Sequence, residues 1–397
     1  MIKRFCIVVL IIMLPSSLLA CREQPQIALE FDLEKLLLDV FEPLPGEVVL
    51  VMVDLPTTQT GDHPAWAARR NMAAQWLAAW QKLGETHNFV VLPLLEYYAS
   101  GGHNAPLPKA GRMAGQAVAL ENILAETNIV VALTEFSATA SLFEYTTRYP
   151  DLRAASMPGV VEAMQESALA ADYSQVARRA HILAEKLDRA VGAQVKFSTG
   201  QKIYFDLRYR TAHADGGQLH ANSGGERIIN LPSGEAYIAP YEGERAGEPS
   251  QTMGEIPLII SGSCSMGEMI VARVQGNKIV DYIGEGPCAA EARRAIAREP
   301  GLANIAELGL GVNPGAVLRG IVLEDEKVVG MHWAYGRSDH LGGVFGVGDF
   351  DDPANATHID IVYPKGGEIE IKSLKLIYED GDSEQILRNG AYVIFDW

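Results

Sequence analysis

The fold is decided by the run Glu47-Val-Val-Leu-Val-Met-Val-Asp54, in which six consecutive apolar residues stand between two acidic ones. A strand without alternating polar positions is typical of a sheet that is covered on both faces. The run therefore predicts a buried strand of a parallel sheet, and it favours an α/β fold for the surrounding part of the chain.

Helix and strand patterns alternate after this run. Pro64 begins a predicted helix that ends at Gly84. Its apolar residues repeat at helical spacing, and the simplest interpretation is that they pack in the core: Ala73, Trp76, Leu77, Trp80 and Leu83. The elements predicted next are a strand from Asn88 to Leu94, a helix from Ala110 to Glu126, and a strand from Asn128 to Thr134. This order implies a parallel sheet with helices on both faces.

The pattern changes near Gly192, where an amphipathic helix that starts at Asp172 is predicted to end. Apolar residues then alternate from Val195 to Tyr209 around a turn, which indicates a hairpin. The predicted organisation is a signal peptide over 1–20, an α/β domain over 21–192, and a mostly β, α+β domain over 193–397. Within the last domain we predict helices at Ala289–Arg298 and Ala303–Leu308, and a long loop at Gly336–Ala356.

Composition describes an ordinary folded protein. The chain has 397 residues, of which 48% are hydrophobic and 21% charged. Its formal net charge is −17, and Lys and Arg form no cluster in the mature chain. This charge argues against a nucleic acid or an anionic membrane surface as partner, and it does not itself decide between a peptide and a small molecule as substrate.

The N-terminus carries an export signal. Lys3 and Arg4 precede an apolar run from Phe5 to Leu14, which is too short to span a membrane stably. The following Leu18-Leu-Ala-Cys21 resembles a bacterial lipobox, which implies cleavage before Cys21 and a lipid on its sulfur. An ordinary signal peptide with an incidental cysteine is the alternative. The lipobox predicts a lipoprotein of the bacterial cell envelope that meets the membrane only through this lipid.

Two cysteines remain in the mature chain beyond the lipobox, Cys264 and Cys288. Export permits a disulfide between them, and two buried free thiols are the alternative. Because their spacing is not that of a Cys-x-x-Cys motif, a cysteine-based zinc site is not expected.

Candidate metal ligands lie in the C-terminal half, at places where a bare carboxylate or imidazole is hard to explain structurally. His358 and Asp360 are separated by Ile359 in a predicted strand, so their side chains share one face. The other candidates stand beside apolar runs: Glu235, Glu307 and His332. Three carboxylates and two imidazoles form a ligand set for one or two borderline cations such as zinc, cobalt or manganese.

Familiar catalytic signatures are absent from the sequence. It contains no His-Glu-x-x-His, no Gly-x-Ser-x-Gly and no phosphate-binding loop. The chain instead resembles the thermophilic metallo-aminopeptidases named aminopeptidase T and aminopeptidase S, over most of its mature length. The resemblance rests on these segments in this order: Arg153–Gly159, Tyr173–Tyr209, Asn230-Leu-Pro-Ser-Gly-Glu235-Ala-Tyr-Ile-Ala-Pro240, Glu307–Asn313, Glu326–His332 and His358-Ile-Asp360.

The resemblance implies that the five candidate ligands hold a pair of divalent ions in a catalytic C-terminal domain, and that the protein is a homodimer. Two metals in such a site share a hydroxide and polarise a peptide carbonyl. A glutamate that bridges them can take the proton of the attacking water, and Glu307 is the candidate for this role. The family usually carries a tyrosine shortly after the position of His332, where this chain has Asp339 or His340. A lone loop histidine such as His340 is expected to be solvated, and an added metal ligand or an acid is the alternative.

Three functions are compatible with the sequence. The first is a two-metal aminopeptidase, which the retention of both Glu235 and Glu307 favours. The second follows from a related branch, the ring-cleaving dihydroxypyridine dioxygenases, in which two histidines and an aspartate hold one ferrous ion. His332, His358 and Asp360 would supply that set. The third is a binding lipoprotein that keeps the fold without activity.

Overall fold

The structure is a computed structural model that describes residues 30–222, 225–260 and 267–395. The predicted signal peptide and Cys21 therefore lie outside the described residues. Within the described ranges, no helix is both long enough and apolar enough to cross a lipid bilayer. The α-helices are α1 (Leu33–Phe41), α2 (Pro64–His87), α3 (Leu120–Ala125), α4 (Thr139–Arg148), α5 (Tyr173–Arg189), α6 (Pro287–Arg298) and α7 (Val322–Asp325).

The strands, in chain order, are β1 (Val48–Leu55), β2 (Val90–Val91), β3 (Leu95–Tyr98), β4 (Ala110–Met113), β5 (Gln116–Ala119), β6 (Ile129–Ala132), β7 (Arg153–Ser156), β8 (Ala190–Phe197), β9 (Lys202–Asp206), β10 (His213–Asp215), β11 (Ile228–Asn230), β12 (Glu235–Ile238), β13 (Met253–Ile260), β14 (Glu268–Gln275), β15 (Lys278–Ile283), β16 (Ile305–Gly311), β17 (Gly330–Gly336), β18 (His358–Pro364), β19 (Ile371–Tyr378), β20 (Ser383–Arg388) and β21 (Ala391–Tyr392).

The first sheet has the order β11-β7-β6-β1-β3-β4-β5, with β2 also paired to β1. Its strands are parallel except at the edge formed by β4 and β5. Val49, Val51 and Val53 of β1 pack with α1 and α2, whereas Leu50 and Met52 pack with α3 and α4. The central strand is thus buried on both faces, as its unbroken apolar run predicted.

Two antiparallel sheets form the C-terminal part, which confirms the predicted fold class of an α/β part followed by a mostly β part. The smaller sheet has the order β10-β12-β16-β17-β18, and the larger has the order β15-β14-β13-β9-β8-β19-β20-β21. One apolar core lies between them and includes α5. Trp333 in the smaller sheet donates from Nε1 to the Tyr363 hydroxyl, which donates to the Pro257 carbonyl of the larger sheet.

Two helix predictions are wrong. Residues 110–119 form the β4–β5 hairpin, and only Leu120–Ala125 is helical. The reason is the Ala114-Gly115 pair, whose φ angles of 48° and 79° form a two-residue turn that a helix cannot contain. The helix predicted at Ala303–Leu308 is replaced by β16, in which every residue is buried. Its alternating Glu-Leu-Gly-Leu-Gly pattern has the period of a strand.

The predicted domain boundary at residue 192 stays a prediction. Residue 192 lies inside β8, and β11, which follows it in sequence, pairs in parallel with β7 of the first sheet. Helix α5, which precedes it, packs against the core of the two antiparallel sheets. The chain therefore passes between the two parts more than once, and a single cut does not describe where each residue packs.

Candidate metal centre

Four neighbouring strands of the smaller antiparallel sheet carry the five candidate ligands. Glu235 begins β12, Glu307 lies on β16, His332 on β17, and His358 and Asp360 on β18. The sheet register brings them to one face. Glu307 lies opposite Ala334, which lies opposite Asp360 on the next strand. The structure thus brings all five side chains together, although their role as metal ligands stays a prediction.

The opposite face of the same strands is apolar. Residues that alternate with the candidate ligands are fully buried in the core shared with the larger sheet: Ala236, Leu308, Leu310, Met331 and Trp333. Because successive side chains of a strand point to opposite faces, burial of these residues fixes the direction of the ligands. A shift of register by one residue would turn the carboxylates and imidazoles into the core.

A glycine leaves room for the imidazole of His332. Gly309 lies directly opposite His332 across the β16–β17 pair. A Cβ atom on Gly309 would lie 1.9 Å from Nε2 of His332, well inside any allowed contact. The glycine in the Glu307-Leu-Gly309 run therefore serves the site, since its absent side chain leaves the volume that the imidazole occupies.

Glu307 is the centre of the cluster. Its Oε1 lies 3.2 Å from Nε2 of His332, and its Oε2 lies 2.9 Å from Nε2 of His358. Nε2 of His332 is also 3.1 Å from Oε2 of Glu235, and Nε2 of His358 is 3.4 Å from Oδ1 of Asp360. Nε2 of each imidazole thus faces two carboxylates, and Glu307 is one of the two in both cases.

The cluster divides into two groups of three residues whose ligand atoms lie within 4.8 Å of one another. One is Glu235, Glu307 and His332, and the other is Glu307, His358 and Asp360. A carboxylate that belongs to both groups, with a different oxygen directed to each, is the arrangement that a bridging ligand requires.

The backbone fixes which nitrogen of His358 is available to a cation. Nδ1 of His358 lies 2.7 Å from the carbonyl oxygen of Arg337. Because a carbonyl can only accept, Nδ1 carries the proton, and in the neutral ring Nε2 keeps the lone pair that faces Glu307 and Asp360. A partner of this kind on the far nitrogen is common for metal-binding histidines.

Several polar atoms of the cluster are buried without a hydrogen-bond partner among the described residues. They are Oε2 of Glu235, Nδ1 of His332 and Oδ1 of Asp360. The two carboxylate oxygens lie 3.1 and 3.4 Å from the imidazole nitrogens but lack hydrogen-bond geometry. Buried carboxylate oxygens are costly without a partner, and oxygen and imidazole nitrogen are the donors that zinc, cobalt and manganese accept. The residues present therefore fit divalent cations.

The electrostatics of the cation-free cluster follow from its burial and its ion pairs. Although burial opposes the charge, hydrogen bonds from His332 and His358 hold the pKa of Glu307 well below its usual range. Burial also opposes charge on both imidazoles. Glu235 and Glu307 nevertheless raise the pKa of His332 well above its ordinary value, and Asp360 and Glu307 do the same for the pKa of His358.

A buried lysine that the sequence did not single out adjoins the cluster. The side chain of Lys327 is fully buried, and its Nζ lies 2.5 Å from Oε1 of Glu235. It also lies 2.7 Å from Glu326 and 3.3 Å from Asp215. Burial raises the pKa of Asp215 to about 7 and the pKa of Glu326 to about 8. In the sequence, Lys327 precedes Val328 and Val329, where a lysine looks like the polar start of a strand.

The loop after β17 reaches the edge of the site. The ring of His340 lies edge-on to His358 with 5.1 Å between centroids, and its side chain is 43% exposed. Asp339 accepts two hydrogen bonds of 3.0 Å from Arg337. Tyr335 packs against the apolar core on the other face of the sheet. Among the described residues, neither His340 nor Asp339 belongs to a group of candidate ligands.

The structure describes only one of the two cysteines of the C-terminal part. Cys288 begins the buried face of α6 and is disulfide-bonded. Cys264, which the sequence offers as its partner, lies outside the described residues.

Several solved structures share this fold, and two of them are of enzymes. 2,5-Dihydroxypyridine dioxygenase from Pseudomonas putida matches with a TM-score of 0.57 and 16% identity, over 87% of this chain and 92% of that one. Wild-type AmpT from Thermus thermophilus, an aminopeptidase T, matches with a TM-score of 0.52 and 15% identity, over 91% of this chain and 98% of that one. At such identities the likeness shows the fold alone. No protein-family model and no curated protein sequence matches the chain.

Proposed function

We propose that the chain is a metal-dependent aminopeptidase of the aminopeptidase T type, which removes N-terminal residues from peptides with the help of two divalent ions such as zinc, cobalt or manganese. The observation that carries the proposal is the sharing of Glu307 between two groups of candidate ligands. A single cation needs no such shared carboxylate. The likeness to AmpT supports the proposal at the level of the fold.

In this proposal the first cation position is formed by Glu235, Glu307 and His332, and the second by Glu307, His358 and Asp360. Two bound divalent ions supply a water of lowered pKa and polarise a substrate carbonyl. Glu307 would hold a cation at each position, one through each of its two oxygens. It is also our candidate for the group that accepts a proton from the attacking water, because it is the carboxylate common to both positions.

The geometry of the cluster favours hydrolysis over the single-iron alternative. That alternative requires His332, His358 and Asp360 to converge on one ion, yet among the described residues these three do not form a group with ligand atoms within 4.8 Å. The two imidazoles instead face different oxygens of Glu307. The match to the dioxygenase shows a shared fold, and a shared fold does not by itself support iron binding by this chain.

Metal analysis and a hydrolysis assay together test the proposal. The purified mature protein should bind two divalent ions per chain, and should hydrolyse aminoacyl anilides or dipeptides when supplied with zinc, cobalt or manganese. N-acetylated versions of the same substrates should be poor, since an aminopeptidase requires a free terminal amine. One iron per chain with oxygen uptake would favour ring cleavage, whereas no bound metal and no turnover would favour a binding protein.

The setting of the enzyme is proposed from the sequence and the resemblance. Lipid attachment at Cys21 would anchor the protein to the bacterial cell envelope, and the family resemblance implies a homodimer. Fractionation of cells and light scattering of the purified protein test these two points separately.

A further inference from the structure

Lys327 is buried at a position where a lone cation would be very costly. Its side chain is 0% exposed, and it directly precedes the apolar residues that lead into β17. A charge removed from water in this way persists only when it is paired. Three carboxylates provide that pairing: Asp215, Glu235 and Glu326.

The contact with Glu235 divides the two oxygens of that carboxylate between different partners. Oε1 receives the ammonium of Lys327 at 2.5 Å, while Oε2 faces Nε2 of His332 at 3.1 Å. The ammonium competes with a cation for Oε1, whereas Oε2 has no hydrogen-bond partner among the described residues and faces the candidate cation position. Glu235 is therefore held at Oε1 and most readily offers a cation Oε2.

The ammonium adjoins one group of candidate ligands more closely than the other. Lys327 forms an ion pair with Glu235, and among the described residues it forms none with Glu307 or Asp360. Two positive charges repel strongly in a buried site, where water screens them little. The ammonium of Lys327 therefore repels a divalent ion held by Glu235 more strongly than it repels an ion held by Glu307, His358 and Asp360.

We propose that Lys327 is a positioning residue that makes the two cation positions unequal. It holds Glu235 at Oε1, and its charge weakens the position formed by Glu235, Glu307 and His332. The position formed by Glu307, His358 and Asp360 then fills first, and the second ion binds more weakly. This inference rests on the two-cation site of the proposed function and names how that site is loaded.

The test is a titration of the metal-stripped, full mature protein with Co²⁺, followed by calorimetry and by visible absorption. Wild type should take up two ions in two steps that differ in affinity by about tenfold or more. A buried ammonium whose charge is partly offset by its carboxylate partners can produce an effect of this size. Lys327→Met keeps a side chain of similar length without the charge. It should tighten the weaker step by about tenfold and bring the two steps together.

A second variant protects the test against misfolding, because Lys327→Met leaves buried carboxylates without their partner. Lys327→Met combined with Glu326→Gln removes the ammonium together with one of the carboxyl groups that it contacts. Tightening in either folded variant supports the inference, since both lack the ammonium beside Glu235. Exposed Lys372→Met is the control and should leave both steps unchanged.

Two equal steps in wild type, or no tightening in either folded variant, would overturn the inference. The readout does not depend on turnover, so failure of the proposed function can be recognised separately. Two unequal cobalt sites in a protein that hydrolyses no aminoacyl substrate would refute the peptidase proposal and leave the role of Lys327 standing. A peptidase with two equal sites would refute the role of Lys327 and leave the proposed function standing.

Discussion

Gly309 and His332 face each other across two antiparallel strands, and the imidazole of His332 occupies the space that a side chain on Gly309 would need. Gly309→Ala should therefore displace His332 from Glu235 and Glu307. We expect loss of one bound cation per chain and at least a hundredfold loss of hydrolytic activity, which is the scale on which small misplacements in active sites act. Metal analysis and initial rates measure both effects.

Gly348→Ala is the matched control for that substitution, because a Cβ there meets no atom within 4 Å. It should retain two ions and normal rates. Full metal content in folded Gly309→Ala would contradict the idea that the glycine makes room for the ligand.

Cation binding should release protons. In the cation-free protein the pKa values of His332 and His358 are raised well above their ordinary range, by ion pairs with the carboxylates that outweigh burial. Both rings thus keep an extra proton to higher pH than a free imidazole does, and a cation can bind Nε2 only after the proton on that nitrogen leaves. Metal affinity should fall as pH is lowered. Calorimetry at pH 7 in two buffers of different ionisation enthalpy should give different apparent heats, and equal heats would contradict this prediction.

His340 should be dispensable for metal retention. Its side chain is 43% exposed, its ring lies edge-on to that of His358, and among the described residues it belongs to no ligand group. His340→Ala should keep the same number of ions per chain as wild type. Loss of one ion would show that the loop after β17 contributes a ligand. Because the ring borders the site, a change in KM without a change in metal content would indicate contact with substrate.

The predicted lipid anchor can be tested by Cys21→Ser. The variant should leave the membrane fraction or accumulate unprocessed, since the thiol that would carry the lipid is gone. The matched comparison is Cys6→Ser, which changes a cysteine inside the predicted signal peptide and should fractionate like wild type. A Cys21→Ser protein with wild-type fractionation and migration would refute the lipoprotein prediction.

The sequence predicted the architecture where a pattern is local. The apolar run before Asp54 specified a buried strand, and the spacing of His358 and Asp360 placed two candidate ligands on one strand face. The prediction from sequence was wrong where two local patterns competed. The segment from Ala110 has helix-forming residues, but the turn at Ala114 and Gly115 bends it into a hairpin.

The assembly of the site could not be read from residue patterns, because antiparallel pairing joins residues that are far apart in sequence. Glu235 and Glu307 meet His332 only through the register of three strands. That these residues converge was expected from the resemblance to a family. Lys327 lay outside that expectation, since a lysine before an apolar strand ordinarily points to solvent. Apart from the adjacent Glu326, nothing local indicates its carboxylate partners, Asp215 and Glu235.

The most direct test of the site is the removal of its shared carboxylate. Glu307→Gln keeps the shape of the side chain but removes the charge that both imidazoles face. Both cation positions lose a ligand, so bound metal should fall for both ions and hydrolysis of aminoacyl anilides should drop by at least a thousandfold, as when other catalytic groups are removed. Without the Glu307 carboxylate, one position keeps only Glu235 and His332, and the other keeps only His358 and Asp360. Neither then has the three protein ligands that are typical of a catalytic site.

The control for Glu307→Gln must be an exposed glutamate. Glu324 is unsuitable, because it is fully buried and accepts hydrogen bonds from Ser167 and Arg319, so its removal should destabilise the fold. Exposed Glu368→Gln is suitable and should change neither metal content nor rate. Circular dichroism establishes that both variants are folded. Glu307→Gln that loses a single ion and keeps the other at wild-type affinity would show that Glu307 serves one position, and the bridge between the two groups would have to be abandoned.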